Sequence, residues 1–322
     1  MRAPERSNEE KFRTETSNHD AASSAAKVTC RRGCLFVAAT FCVLFTERHY
    51  PGRTQQQCST LLASDAHAKK RCYAVLTTTS PISFPVFIFP PLSLNALLQR
   101  HHASFGPVLP VDLNGPDVAR LNFTADNPQL ATADLRNTAA FAQVVDQLLA
   151  DQNATIGVGG YLENRVIYRR SQHFGPGTVP EARSLHLGVD VWLAAGTPVL
   201  APLPAIIHSL ADNDNFGDYG PTVILQHELE GTVFYSLYGH LSRHEWRALR
   251  PGQSLAKGEV FATVGPFPEN GDWPPHLHFQ LMADLQGRSG DFPGVAPLSE
   301  RDEWAARCPD PNLILKSRVL ST

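Results

Sequence analysis

After Pro274-Pro275, residues 276–281 alternate polar and apolar side chains without a fault, and a period of two admits a β-strand and little else. His276, His278 and Gln280 fall on one face, Leu277, Phe279 and Leu281 on the other. The two imidazoles then lie roughly 6.6 Å apart along the strand, so one can bind a metal while the other meets the substrate. Residues 185–193 alternate in the same way, with His186, Gly188, Asp190 and Trp192 opposite Leu185, Leu187, Val189, Val191 and Leu193. A fully extended strand would hold the His186 and Asp190 Cα atoms about 13 Å apart, too far for both to reach one ion at about 2 Å. Gly188 therefore predicts a bend or bulge that brings the two together and leaves room for an ion. A third strand-like stretch, residues 231–241, ends in Tyr238-Gly239-His240-Leu241 and puts His240 at a strand end, where function concentrates.

Beyond residue 185 nearly everything reads as short strands separated by Gly, Pro, Asn and Asp, which suits an antiparallel β architecture rather than βαβ units. The best helical spacing is at residues 137–150, where Ala139, Phe141, Val144, Val145, Leu148 and Leu149 recur, and beyond residue 185 only residues 243–249 suggest a helical turn. Residues 165–170 follow a glycine-rich turn and read as a strand. The first hundred residues carry a formal net charge of +6 and the remainder −9, so the long acidic part offers no nucleic-acid footprint. Five of the six cysteines precede residue 73, which leaves the main domain without a disulfide framework or a thiolate metal cluster. Residues 1–33 are polar and aperiodic, the composition of a disordered segment. The run of twelve residues 34–45, apolar but for Thr40, has the length of a signal-peptide core and is too short to span a bilayer, so any membrane contact is expected through this N-terminal signal or anchor. The division that follows is an extension over residues 1–92, a first part of the catalytic unit over 93–183, and a core over 184–315.

Six motifs stand in a recognisable order: HLGVD at His186, AGTPVLAP from Ala195, YGPTVILQH from Tyr219, LYGHLS from Leu237, GQSLAKGEVFATVG from Gly252 and PPHLHFQL from Pro274. Together they resemble the lysostaphin and LytM type of zinc metalloendopeptidase, which cuts peptidoglycan cross-links. The resemblance implies a mainly β fold, an antiparallel sheet of the duplicated hybrid (barrel-sandwich hybrid) kind with a few short helices. It implies one Zn²⁺ held by His186, Asp190 and His278, with His276 and His240 as catalytic histidines. Two imidazoles and one carboxylate leave a fourth tetrahedral position open, as in catalytic rather than structural zinc sites. The substrate expected is a peptide or peptidoglycan, and the compartment a secreted or cell-envelope one. The alternative is a non-catalytic module of the same fold that binds peptidoglycan or activates a partner hydrolase, although such a module has no physical need for two histidines beyond a three-ligand site. The chain departs from the family pattern at Gln280, where many members have Glu, at Pro204-Ala205, and in the loop of residues 265–273, which is expected to line the substrate groove. Arg165, Arg169 and Arg170 read foremost as a solvated charged face, with a peptide carboxylate as the alternative.

Overall fold

The computed structural model describes residues 92–175 and 181–321, and the expectations for residues 1–91, the apolar run 34–45 included, lie outside them. The described strands are β1 (Val118–Leu121), β2 (Ile156–Gly159), β3 (Arg183–His186), β4 (Val189–Trp192), β5 (Pro198–Leu200), β6 (Ala205–Asn213), β7 (Gly220–Leu229), β8 (Thr232–Gly239), β9 (Ser254–Leu255), β10 (Val260–Thr263), β11 (His276–Met282) and β12 (Val295–Pro297). Eight of them form one sheet in the order β1-β2-β4-β11-β8-β7-β6-β9, while β10 pairs with β5 and β12 with β3. Only the β1–β2 pairing is parallel; every other pairing is antiparallel. The mainly β, antiparallel class expected from the sequence is the one the chain adopts. No helix of the described residues is long and apolar enough to cross a membrane.

The alternating segment of residues 274–281 becomes β11, in the middle of the sheet between β4 and β8. All seven of its residues are buried, so the polar face of His276, His278 and Gln280 is covered rather than left to water. Tyr219 and Trp273 supply part of that cover, their rings 5.1 Å from His278 and 5.9 Å from His276. On the opposite face Leu277, Phe279 and Leu281 join Val191, Val223, Leu225 and Tyr238 in the main apolar core.

The helices are α1 (Leu94–His101), α2 (Pro128–Thr132), α3 (Thr138–Ala150), α4 (Arg243–Trp246), α5 (Arg301–Arg307) and α6 (Asn312–Leu315). The predicted helix at residues 137–150 is α3, which starts one residue later because Asn137 is its cap: the Asn137 side chain accepts hydrogen bonds from the backbone of Ala139 and Ala140. Such a cap contributes about 1 kcal/mol. Phe141 and Val145 of α3 pack on Leu121, Phe123, Trp192 and Trp273, so the helix covers the end of the sheet from which β4 and β11 present their polar residues. The helical turn expected at 243–249 is α4, shorter than its sequence pattern.

Two readings change. Residues 165–170 do not form a strand; Ile167–Arg170 is a 3₁₀ turn, and Ile167, Tyr168 and Arg170 all point inward. The edge of β4 is already taken by β2, and Arg165 is drawn inward by two buried carboxylates. Nor do residues 185–193 form one bulged strand. The chain leaves one sheet after His186 and enters another at Val189, since β3 pairs with β12 while β4 pairs with β2 and β11. This break does what the predicted bulge was to do.

Candidate metal centre

Strand register brings the donor atoms together. Asp190 lies directly across from His278 in the β4–β11 pair, and His278 lies across from Gly239 in the β11–β8 pair. Directly opposed residues share a face and stand close enough for their side chains to meet. His186, at the end of β3, swings in from the second sheet. Its Nε2 is 3.2 Å from Asp190 Oδ1 and 3.0 Å from His278 Nδ1, and His278 Nδ1 is 3.0 Å from Asp190 Oδ1. Gly188 serves this approach differently from expectation. A Cβ there would lie 2.6 Å from His278 Cε1 and 2.8 Å from the Phe279 carbonyl oxygen, so the missing side chain makes room for the His278 ring itself.

Hydrogen bonds fix which nitrogen of each ring carries the lone pair. A carbonyl can only accept, so His186 Nδ1 donates to Gly160 O at 3.0 Å and leaves Nε2 unprotonated. Gln280 donates its amide to Pro293 O and Cys308 Sγ, which turns its Oε1 toward His278 Nε2 at 3.0 Å; the His278 proton sits there and Nδ1 is left bare. Gln280 thus supplies the acceptor for the His278 proton without bringing a charge to the site. Two bare imidazole nitrogens and a carboxylate oxygen face one another with no proton to share among them. That donor set calls for a cation. Ligands about 2.0 Å from a tetrahedral ion stand about 3.3 Å apart, close to the three separations here. The ligand atoms of His186, Asp190 and His278, all three residues buried, lie within 4.8 Å of one another.

The second oxygen of Asp190 is held by Arg165. This guanidinium is wholly buried, donates through Nη1 to Asp190 Oδ2 and through Nε to Glu163 Oε2 at 2.7 Å. Burial opposes ionisation of Asp190, yet His186 and Arg165 hold its carboxyl well below the usual carboxylate range. Burial, together with the Arg165 charge, pushes His186 down to about 3, so it stays neutral and able to bind a metal. Sequence reasoning missed this arrangement, because Arg165 sits among other arginines and reads as surface charge. Glu163 and Gly160 left no signal at all.

His276 and His240 stand beside the three donors without touching their meeting point. His276 lies across from Trp192 in the β4–β11 register and stacks on its indole at 4.0 Å. His240 follows the last residue of β8 in a left-handed conformation, φ 60°, held by its backbone bonds to Tyr219 O and from Gly265 N. The two rings are 4.2 Å apart, and each donates Nδ1–H to a carbonyl at 2.8 Å, Pro274 for His276 and Asn270 for His240. Each therefore keeps a bare Nε2. Burial lowers both, His276 to about 4 and His240 well below its ordinary value, the latter also by the neighbouring His276. Both line a cavity of about 200 Å³ together with Asp190, His278, Trp273 and Tyr219. Asn270 and Trp273 come from the 265–273 loop, so that loop both walls the cavity and orients His240.

Residues 184–290 match the model of peptidase family M23, over the stretch that carries the HLGVD, LYGHLS and PPHLHFQL motifs. A relative from Haemophilus influenzae described as an uncharacterized metalloprotease is 30% identical over 139 residues, which are 41% of this chain. The match spans about a quarter of that relative's length, 27%. Among solved structures, a putative peptidase M23 from Pseudomonas aeruginosa is 24% identical with a TM-score of 0.28, covering 41% of this chain and 44% of its own. The catalytic domain of the antimicrobial peptidase lysostaphin from Staphylococcus simulans is 25% identical with a TM-score of 0.27, covering 38% of this chain and 80% of its own. Gly160, Glu163 and Arg165 fall outside the family match.

Proposed function

We propose, on the premise that residues 184–290 are a peptidase family M23 domain, that this chain is a zinc-dependent endopeptidase acting on short glycine- or D-amino-acid-containing peptides of the bacterial cell-wall type. The observation that carries this reading is the convergence of three unprotonated ligand atoms, from His186, Asp190 and His278, beside two further histidines whose Nε2 atoms are bare. His186, Asp190 and His278 would hold the ion, which when bound supplies Lewis acidity toward a peptide carbonyl and acidifies water. Near neutral pH His276 and His240 are both neutral, the state a proton acceptor needs. One Nε2 takes the proton lost by the attacking water and passes it to the departing amine; the other, also bare, accepts a hydrogen bond from that water or from a substrate N–H and so orients the attack. The carbonyls of Pro274 and Asn270 keep both rings in the tautomer these roles require. Trp192, stacked on His276, and Trp273, 6.0 Å from His240, restrict ring motion and exclude water from one side.

The test is incubation of the zinc-loaded protein with isolated cell-wall fragments and with synthetic glycine-rich and D-amino-acid peptides, the products being read by mass. New amine termini that vanish in His276→Ala and His240→Ala proteins, while zinc stays bound, are expected. Intact substrates after prolonged incubation with stoichiometric zinc present would overturn the reading.

A further inference from the structure

A larger cavity, of about 1090 Å³, adjoins the metal centre and shares Tyr168, His173, Phe174 and Arg183 with the smaller one. Its charged lining is five arginines, Arg136, Arg165, Arg169, Arg170 and Arg183, against one carboxylate, Glu181. Arg165 is committed to Asp190 and Glu163. Among the described residues none of the other four has a carboxylate within ion-pair distance, although eight such pairs form outside this lining. Glu181 is itself turned aside, accepting from the Ser299 hydroxyl at 2.6 Å. Of the acidic residues of the smaller cavity, Asp190 is held by Arg165 and Asp218 reaches this lining at His173, 3.8 Å away, and at Asn215, but neither Asp218 nor Asp291 lies within ion-pair distance of Arg136, Arg169, Arg170 or Arg183.

Arg170 rules out a merely solvated face. It is 3% exposed, its guanidinium carbon 4.4 Å from the Trp273 ring and 4.8 Å from the Phe216 ring. Its Nη2 donates to Thr138 Oγ1 and to the Asp272 carbonyl, while Nε and Nη1 have no partner. A buried cation with idle donors is costly unless an acceptor completes it. Because Trp273 also walls the metal cavity, this cation sits directly behind the reaction space. Arg169 is exposed and Arg183 is partly so, which leaves their guanidinium groups within reach of a guest.

We infer that this arginine-lined groove seats a carboxylate carried by the peptide substrate, so that the enzyme selects acidic peptides over their neutral isosteres. The inference rests on the peptidase reading for its substrate, and on the groove alone for its chemistry. Guanidinium groups match a carboxylate with two parallel N–H bonds, and among the described residues the lining contains no lysine. Since the groove shares wall residues with the reaction cavity, the anion recognised there belongs to the same molecule as the scissile bond, within a few residues of it.

The experiment compares matched peptides that differ only in Glu against Gln, or a free against an amidated C-terminus, on each side of the cleaved bond. With zinc-loaded full-length protein the acid is expected to have a kcat/KM about tenfold higher or more, mostly through KM, and the ratio should shrink as salt rises. Replacing Arg169 and Arg183 together by Gln should bring the ratio near one, and replacing both by Lys should restore part of it. Equal kinetics for acid and amide, or a preference that survives the double substitution, would overturn the inference. Calorimetric binding of the same peptides to the zinc-loaded His276→Ala protein separates the two claims. Preferential binding of the acid without cleavage by the unaltered protein would sink the peptidase reading and keep the groove; cleavage with equal binding of acid and amide would do the reverse.

Discussion

Replacing Arg165 by Met removes the only cation that, among the described residues, lies against both the Asp190 and Glu163 carboxylates, and keeps most of the side-chain volume. Asp190 and Glu163 side chains are 4% and 8% exposed, so neither can turn to water for compensation. Removing one partner of a buried ion pair costs about 3–5 kcal/mol because the other charge is stranded. For a domain of this size that is a fall in Tm of about 6–20 °C in the metal-free protein. The zinc-loaded protein should lose less, since its Asp190 keeps a cation on the other oxygen. The rise in Tm on adding zinc is therefore expected to be larger in the variant than in the unaltered protein, and adding Glu163→Gln should recover part of the metal-free loss by removing one stranded charge. Calorimetry of both proteins, after exhaustive chelation and after reloading with one equivalent of zinc, reads all four values. A loss below about 1 kcal/mol, or an equal loss in both metal states, would refute the assignment of Arg165 to the Asp190 carboxylate.

Gly188→Ala should lose zinc and about 1–3 kcal/mol of stability, because the new methyl meets the His278 ring and a strand carbonyl that cannot retreat; retained stoichiometric metal by elemental analysis would contradict this. Gln280→Leu frees the His278 ring and should weaken zinc binding roughly 10–100-fold by competition with a chromophoric chelator, with the fold unchanged by circular dichroism. His227, bonded to the Ser236 hydroxyl and stacked on Phe234, is pushed down to about 4 by burial and lies away from the metal centre. Its unfolded form takes up a proton near 6.5 and its folded form resists until about 4, so stability falls as pH drops through that window; His227→Phe should remove up to about 1.4 kcal/mol per pH unit of that slope in denaturant titrations at pH 4.5–6.5. A chain beginning at His173 lacks β2, Gly160 and Arg165 and should fail to hold zinc or unfold cooperatively, whereas one beginning at Pro91 should do both.

Alternation and turn residues are local properties, so the sequence alone determined the mainly antiparallel class, the helix behind Asn137, and the histidine and aspartate types able to meet at a metal. It also determined that Gly188 had to be glycine, though not why. What lay beyond it was which groups face one another across elements distant in sequence. The chain break that sends β3 and β4 into different sheets, the stack of Trp192 on His276, and the carbonyls that set each tautomer depend on strand order and register, which no local pattern encodes. Arg165 is the clearest case: flanked by Glu163 and near Arg169 and Arg170, it reads as surface charge, and only the pairing of β2 with β4 carries it inward to Asp190. A charge is drawn into a core by the opposite charge already there, and that partner is 25 residues away along the chain.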